Sequence, residues 1–260
     1  MPLDADLLTI RENKILRVVL NRPDSLNALT TGLLEQIAEA IEAAGADPDI
    51  RVIVLSGAGR AFSAGADLAV GGRLDEGPDT ATIDAANRVT RAIRQVPKPV
   101  LAAVNGPAVG VGCSFALAAD LTVARESAYF LLAFANVGLM PDGGATALLP
   151  AAIGRALATR MAMLAERVPA RTAADWGLIS HVTPDADFES EVDGLAAKLA
   201  AGPTAAFART KQAFNVTALA QLDEALATER KGQSELFETD DFAEGVAAFQ
   251  QKRKPGFTGR

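Results

Sequence analysis

The chain contains very few of the residues that build disulfides and metal sites. It has one cysteine, Cys113, and one histidine, His181, among 260 residues. A single cysteine cannot form an intramolecular disulfide, which fits a reducing compartment, and a single histidine does not make a metal site. Both residues lie among apolar neighbours, so we expect them to be structural. The sequence therefore predicts no metal ligation and a cytoplasmic location.

Aromatic residues and positive charge are also scarce. Aromatics make up 5% of the chain and hydrophobic residues 49%, so Ala, Val and Leu must fill the core. The excess of 32 acidic over 25 basic residues gives a net charge of −7, which argues against a nucleic-acid surface. No apolar run approaches the roughly eighteen residues of a membrane span, and the acidic N-terminus does not resemble a signal peptide. We expect no nucleic-acid partner and no membrane insertion.

Short β-rich runs alternate with helical patterns through the first 200 residues. A hairpin is predicted around residues 11–14, and helices are predicted from Thr30 or Thr31 to residue 44 and over 80–95. This alternation predicts an α/β fold of parallel βα units with extra hairpin strands. After Gly202 only helical patterns remain, so we expect a mixed core over 1–200 and a helical region over 201–260. The predicted strands are 7–10, 15–20, 50–55, 100–104, 121–124 and 178–182.

Two glycine-rich segments each follow a predicted strand, over residues 52–68 and 100–120. In the first, the small residues Ala64 and Ala66 would let a ligand approach the main chain. In the second, Gly110 and Gly112 stand where a helix should begin, and the free N–H groups of a helix start favour a negative oxygen. Two such amides converging on one point could stabilise an oxyanion.

The same segments have a purely structural interpretation, because glycine turns after strands are common in α/β proteins. A dinucleotide site is a more specific rival. Phe115 occupies the position of the third glycine in its G-x-G-x-x-G pattern, so that pattern fails. The phosphate-binding P-loop fails as well, since no G-K-[ST] follows.

Five motifs that occur in order along the chain are specific enough to indicate a family. Together they closely resemble the enoyl-CoA hydratase/isomerase, or crotonase, family over essentially the whole length. The motifs are NRPDSLNAL (21–29), GRAFSAGADL (59–68), PKPVLAAVNGPAVGVGCSFALAAD (97–120), GLMPDGGATALLP (138–150) and FQQKRKPGF (249–257).

The resemblance implies a crotonase-like spiral of ββα units with a C-terminal helical region, assembled as trimers or pairs of trimers. It implies an acyl-CoA thioester as substrate and no separate cofactor. The thioester carbonyl would lie between the backbone amides of Ala66 and Val111. Val111 stands where the family often has glycine, but only its N–H group is needed.

The resemblance also implies a set of residues around CoA. For Arg60 and Lys252 a solvated charge is an equal alternative, and for Asp67 a structural turn is the better one. Phe249 and Lys252 would reach the CoA of a neighbouring subunit. The set comprises Leu26, Ala28, Arg60, Ala64, Asp67, Gly110, Phe249 and Lys252.

The sequence departs from the family's hydratases at two positions. Their two water-handling glutamates fall on Ser114 and Phe134, neither of which can act as a carboxylate base. We expect Ser114 to be a small packing residue and ordinary hydration to be severely impaired.

Asp142, in LMPDGG, is a different carboxylate. Its context resembles the epoxyphenylacetyl-CoA and dehydroadipyl-CoA isomerase branch, where an aspartate shuttles a proton. Apolar neighbours such as Leu139 and Met140 could raise its pKa towards the working range. The alternative is a helix N-cap, which the following GGATALL would fit and which would lower the pKa.

Three functions remain open. The leading one is an enoyl-CoA isomerase-type reaction through a thioester enolate. The second is a hydratase or hydrolase that uses water held by unidentified groups, and the third is a CoA-thioester-binding protein without catalysis. The acyl pocket is expected to involve the loop 71–79 and the helix that follows it.

The C-terminal helix has an apolar stripe of Phe242, Val246 and Phe249. We expect Asp240 or Asp241 to cap it and the basic residues 252–254 to end it. The stripe would pack on a neighbouring subunit, although a helix folded back on its own core would explain it equally.

Overall fold

A computed structural model describes residues 5–68 and 80–260 of the chain. The loop 71–79, which the sequence assigns to the acyl pocket, lies outside these described residues. The described strands are β1 (Leu7–Glu12), β2 (Ile15–Leu20), β3 (Val52–Gly57), β4 (Val100–Val104), β5 (Ala108–Val109), β6 (Leu121–Arg125), β7 (Tyr129–Leu131), β8 (Val168–Pro169) and β9 (His181–Thr183). The described helices are α1 (Thr31–Ala46), α2 (Ala81–Gln95), α3 (Val111–Ala118), α4 (Ala145–Leu164), α5 (Ala170–Asp175), α6 (Phe188–Ala201), α7 (Thr204–Ala218), α8 (Leu222–Leu236) and α9 (Asp240–Gln250).

Six strands form the main sheet, in the order β1-β2-β3-β4-β6-β9. Only β1 and β2 pair antiparallel; every later neighbour in this sheet is parallel. Asn13 and Lys14 turn the β1–β2 hairpin with φ angles of 49° and 67°. Two left-handed residues suit a tight hairpin because their twist matches that of the strands. The predicted hairpin and parallel βα units are confirmed.

Two strand boundaries were predicted wrongly. The run 178–182 was taken as a strand, but β9 begins only at His181. The run 50–55 begins as a strand at Val52. Leu178, Ile179 and Ile50 are all buried. They are apolar because they pack in the core next to a strand, although they do not belong to the strand.

A second sheet, β5-β7-β8, was not predicted. Its strands have two or three residues each, too few to show an alternating pattern.

Helices cover both faces of the main sheet. Successive strand residues point to opposite faces, so Ile53 and Leu55 join one apolar cluster while Val52 and Val54 join another. The first cluster includes the buried face of α1, and the second is covered by α6. Thr30 caps α1, its side chain accepting a hydrogen bond from the N–H of Leu33 at 3.3 Å, as the sequence predicted.

The helices α7, α8 and α9 follow the last described strand. Lys211 of α7 is buried and donates to the carboxylate of Asp120 at 2.8 Å and to the carbonyl oxygen of Lys98 at 3.1 Å. Burial lowers the pKa of Lys211 to about 8. These contacts join α7 to the strand region, and the division at residue 200 stays a prediction.

Within the described part of the chain, α4 alone has the length and hydropathy of a candidate membrane span. Core helices of soluble proteins have the same length and hydropathy. Gly154 has a φ of 72° and breaks α4 into two segments. Each is shorter than the roughly 20 residues that a span requires.

The helix α9 differs from its prediction in detail. Thr239 is its N-cap and accepts a hydrogen bond from the N–H of Phe242 at 3.2 Å, so the predicted capping by Asp240 or Asp241 is wrong. Phe242 packs on Phe237 with ring centroids 5.1 Å apart, and Val246 is buried. The stripe therefore covers its own chain, except for Phe249, which is 61% exposed.

Candidate active site

The two glycine-rich segments run side by side. Ser63 and Ala108 form a parallel bridge, and the N–H of Val109 donates to the carbonyl oxygen of Ser63 at 2.9 Å. Gly65 lies against Gly110, because a Cβ atom on Gly110 would be 3.6 Å from Gly65 Cα, so Ala66 and Val111 each follow the point of contact. The close approach requires glycine, because a Cβ atom on Gly65 would lie 2.9 Å from the carbonyl oxygen of Val109.

The amides of Ala66 and Val111 are available to a ligand. Within the described residues, neither N–H group donates to an acceptor. Val111 is the first residue of α3, preceded by Gly110 at a φ of 56°. A helix start carries partial positive charge, and Ala66 is exposed. The arrangement can bind a negative oxygen between two backbone donors.

Asn27 and Ser63 join the loop before α1 to the first of these segments, and neither was singled out from the sequence. Asn27 is fully buried, and its Nδ2 donates to the carbonyl oxygens of Ala58 at 2.9 Å and Ala61 at 2.8 Å. Ser63 Oγ donates to the carbonyl oxygen of Asn27 at 2.9 Å. Each is a polar residue with apolar neighbours on both sides in its motif, and this was the available signal. A polar group that becomes buried needs hydrogen-bond partners.

The residues proposed to surround CoA fall into two groups. Leu26, Ala28, Ala64 and Asp67 lie on the joined loops, where the N–H of Ala64 donates to the carbonyl oxygen of Leu26 at 2.9 Å. Leu26 has a left-handed φ of 55°. Arg22 ties Ala28 to Asp67, donating to the former's carbonyl oxygen at 2.6 Å and the latter's carboxylate at 2.9 Å. That ion pair favours the structural interpretation of Asp67.

The second group consists of exposed side chains. Arg60 is exposed, and Phe249 and Lys252 are exposed at the end of α9. In the described part of the chain, no hydrogen bond joins them to the amides of Ala66 and Val111. Their roles at CoA stay predictions.

Asp142 is buried immediately before α4 but does not cap it. The N-cap of α4 is Gly144, and no side chain at that position accepts a hydrogen bond. Asp142 Oδ2 instead accepts from Gln233 Nε2 at 2.9 Å, while Oδ1 has no hydrogen-bond partner among the described residues. The N-cap alternative for Asp142 is therefore wrong.

The turn at Asp142 packs on the start of α3. A Cβ atom on Gly143 would lie 2.9 Å from Val111 Cγ2 and 3.0 Å from Ser114 Cβ. Ser114 Oγ donates to the carbonyl oxygen of Asp142 at 2.7 Å, and Thr90 Oγ1 donates to that of Gly143 at 2.8 Å. Ser114 is thus more than a packing residue, since its hydroxyl fixes the backbone of Asp142.

Phe134 occupies the other position that differs from the hydratases. It is buried, and its ring atom Cζ lies 4.0 Å from the position of a Cβ atom on Gly110. Phe134 therefore lies against Gly110, the residue before α3, whereas Ser114 belongs to the first turn of α3. The aromatic ring supplies an apolar surface next to the start of this helix.

The surroundings of Asp142 raise its pKa to about 7. Burial is the main cause because it disfavours the charged form, and the carboxylate of Glu229 adds to it. The hydrogen bond from Gln233 acts in the opposite direction. A carboxyl group that titrates near neutrality can both accept and return a proton.

The lone cysteine and histidine have no place in this site. Cys113 is buried within α3, and burial raises the pKa of its thiol to about 12, so it stays protonated. His181 lies in β9. Over the ranges 5–68 and 80–260, no three His, Cys, Asp or Glu side chains are grouped to hold a metal ion.

Comparison with known proteins gives consistent matches over the whole length. The sequence profile of enoyl-CoA hydratase/isomerase matches residues 10–260. A probable enoyl-CoA hydratase of Rhodobacter capsulatus is 44% identical over 94% of each chain. The 1,2-epoxyphenylacetyl-CoA isomerase of Escherichia coli is 38% identical over 98% of each chain. The crystal structure of an enoyl-CoA hydratase from Mycobacterium avium subsp. paratuberculosis superposes with a TM-score of 0.91, at 48% identity, over 98% of this chain and 99% of the other.

Proposed function

The chain belongs to the enoyl-CoA hydratase/isomerase family, and we propose that it catalyses an isomerase-type reaction within it. The reaction would move a double bond within the acyl group of a CoA thioester. The observation that supports this most is the buried carboxyl of Asp142, which has a pKa of about 7 and one oxygen without a hydrogen-bond partner among the described residues. Its turn packs against the same helix start that offers the Val111 amide.

The proposed mechanism uses one carboxylate twice. Asp142 takes a proton from C2 of a 3-enoyl thioester, and the electron pair of that C–H bond moves into the carbonyl to form a dienolate. The amides of Ala66 and Val111 bind the negative oxygen of this intermediate. Asp142 then returns the proton to C4, which leaves the double bond between C2 and C3. The thioester is the substrate, and the proton balance needs no further cofactor.

Replacing Asp142 by asparagine tests the proposal. The Asp142→Asn variant keeps the size of the side chain but cannot accept the proton, so we expect isomerisation of a 3-enoyl-CoA to fall by about 10²-fold or more. CoA affinity should be unchanged. The matched control is Asp223→Asn, which removes an exposed carboxylate paired with Arg91 on the surface. Full activity of a folded Asp142→Asn enzyme would contradict the proposal.

Hydration is the second candidate, favoured by the hydratase names of two of the similar proteins. We expect it to be negligible, because Ser114 and Phe134 cannot activate water as carboxylates do. Loss of the enoyl absorbance of crotonyl-CoA measures hydration, beside the isomerase rate on a 3-enoyl-CoA. A hydration kcat/KM of about 10⁴ M⁻¹s⁻¹ or higher would favour the hydratase instead. Binding without either reaction would favour a non-catalytic CoA-binding protein.

We further propose that the protein assembles as a trimer or a dimer of trimers that places Phe249 and Lys252 at a neighbour's CoA. Several large apolar side chains of the helices are exposed in the single chain, as expected of an association surface. They are Met163, Leu164, Phe214, Val216 and Phe249. The CoA itself would lie along the loops with Leu26 and Ala28, near Arg60.

A further inference from the structure

Two side chains of α8 hold the turn that contains Asp142. Glu229 and Gln233 are four residues apart and so share one face of the helix. Both are almost completely buried, with exposures of 0% and 1%. Gln233 Nε2 donates to Asp142 Oδ2 at 2.9 Å and to the carbonyl oxygen of Met140 at 2.8 Å. Gln233 therefore hydrogen-bonds to the turn on both sides of Pro141, at Met140 and at Asp142.

Glu229 supplies the cap that α4 does not have in its own sequence. Its Oε2 accepts from the N–H of Gly144 at 2.7 Å, and its Oε1 accepts from the N–H and hydroxyl of Thr146 at 2.8 Å and 2.6 Å. Burial raises the pKa of Glu229, but these three donors and the helix start oppose that effect. A negative charge is thus held two residues from Asp142 along the chain.

The remaining charges near this face are already paired. On α8, Asp223 pairs with Arg91 at 2.8 Å, and Arg230 pairs with Asp84 at 2.5 Å, both partners lying on α2. On the side of α3 and α2, Asp142 and Gly143 meet the hydroxyls of Ser114 and Thr90. Glu229 is therefore the charged group that acts on Asp142 at close range among the described residues.

We infer that Glu229 and Gln233 are positioning residues for the proton transfer by Asp142. Glu229 acts through its charge, which opposes ionisation of Asp142, and Gln233 acts through geometry. By occupying Oδ2, Gln233 leaves Oδ1 as the oxygen that exchanges the proton. This inference rests on the proposed function, because it assigns the two residues to the base of that reaction.

The two residues act on Asp142 in opposite directions, and this distinguishes them from structural supports. Removing the charge in Glu229→Gln favours the Asp142 carboxylate, so the acidic limb of kcat/KM should move to lower pH. Removing the donor in Gln233→Leu disfavours the carboxylate, so the limb should move to higher pH. Each shift should be about one pH unit. The control Glu235→Gln, an exposed acid on the same helix, should move neither limb.

The carboxyl resonance of Asp142, assigned by its loss in Asp142→Asn, reports the same shifts in the ligand-free protein. Full activity of Asp142→Asn would refute the proposed function, whereas an unmoved Asp142 titration in both variants would refute this inference alone. If Glu229 only caps α4 and has no electrostatic effect on Asp142, Glu229→Gln should lower the Tm and leave the acidic limb of kcat/KM unmoved. If Glu229→Gln does not fold, the test rests on Gln233→Leu, which leaves the cap of α4 intact. An unmoved acidic limb of kcat/KM in Gln233→Leu would then overturn the inference.

Discussion

At the scale of single residues, Asp142 links activity to stability. Its pKa is about 7 in the folded protein, against 3.8 for an ordinary aspartate. Between these values the unfolded chain has lost the proton that the folded protein still holds. The free energy of unfolding therefore falls as pH rises from about 4 to about 7, and the loss is complete above the folded pKa. A base suited to neutral pH is obtained by burying a carboxyl where ionisation is unfavourable.

This predicts that the inactive Asp142→Asn variant is more stable than the wild type at alkaline pH. At about pH 8 we expect a gain of the order of 4 kcal/mol in the free energy of unfolding, and almost none at about pH 4. Gln233 can accommodate the new amide, since its Oε1 has no hydrogen-bond partner among the described residues. Urea unfolding across this pH range measures the difference, with Asp223→Asn as control. A pH-independent difference would show that ionisation is not its source.

Residues of the site differ in how far the sequence can predict them. The proposed pairing of Ala66 with Val111 and the proposed role of Asp142 come from the resemblance of short motifs to the family, and each motif is visible locally in the sequence. Glu229 and Gln233 could not be predicted, because they meet Asp142 and its turn only through contacts 83 to 93 residues away in sequence. Ser114 was seen as a missing glutamate, but its hydrogen bond depends on the turn that packs above it.

At the scale of elements, the proposed oxyanion site depends on the contact between the segment at Gly65 and the start of α3. Helix periods and parallel strands were predictable because α1, α2 and the main sheet have long apolar patterns. The small sheet of β5, β7 and β8 was not, although β5 leads directly into the turn at Gly110. Its position is set by pairing with β7 and by the bridge to Ser63 rather than by its own two residues.

A methyl group at Gly65 should separate these elements. Gly65 has a φ of 87°, and a Cβ atom there would meet the carbonyl oxygen of Val109 at 2.9 Å. We expect Gly65→Ala to lower kcat by roughly 10²-fold, the scale of losing one oxyanion donor. The matched control is Gly194→Ala in α6, where a Cβ atom meets nothing within 4 Å. Unchanged kcat in Gly65→Ala would mean that these amides do not act together.

At the scale of the whole molecule, the proposed assembly should depend on Phe249. This side chain is exposed in the single chain, so Phe249→Ser should leave the fold and the Tm of a dissociated subunit unchanged. We expect it to weaken association and to raise the KM for the CoA thioester together. Light scattering and steady-state kinetics measure the two effects, with the neighbouring exposed residue in Gln250→Ser as control. A wild-type protein that is monomeric and binds CoA normally would contradict the proposal.

The contacts of α8 with Asp142 have a consequence for the order in which the molecule is made. A ribosome releases the chain from its N-terminus, and N-terminal parts fold first. The main sheet is complete at Thr183 and the oxyanion segments precede it, whereas Gln233 follows Asp142 by 91 residues. A nascent chain thus exposes the two proposed oxyanion segments before Asp142 is held in place. Under the proposed mechanism, a polypeptide cut short before Gln233 lacks the contacts that hold Asp142 and also Phe249 and Lys252 of the proposed CoA site, so we expect neither substrate binding nor conversion to be complete until α8 and α9 have been made.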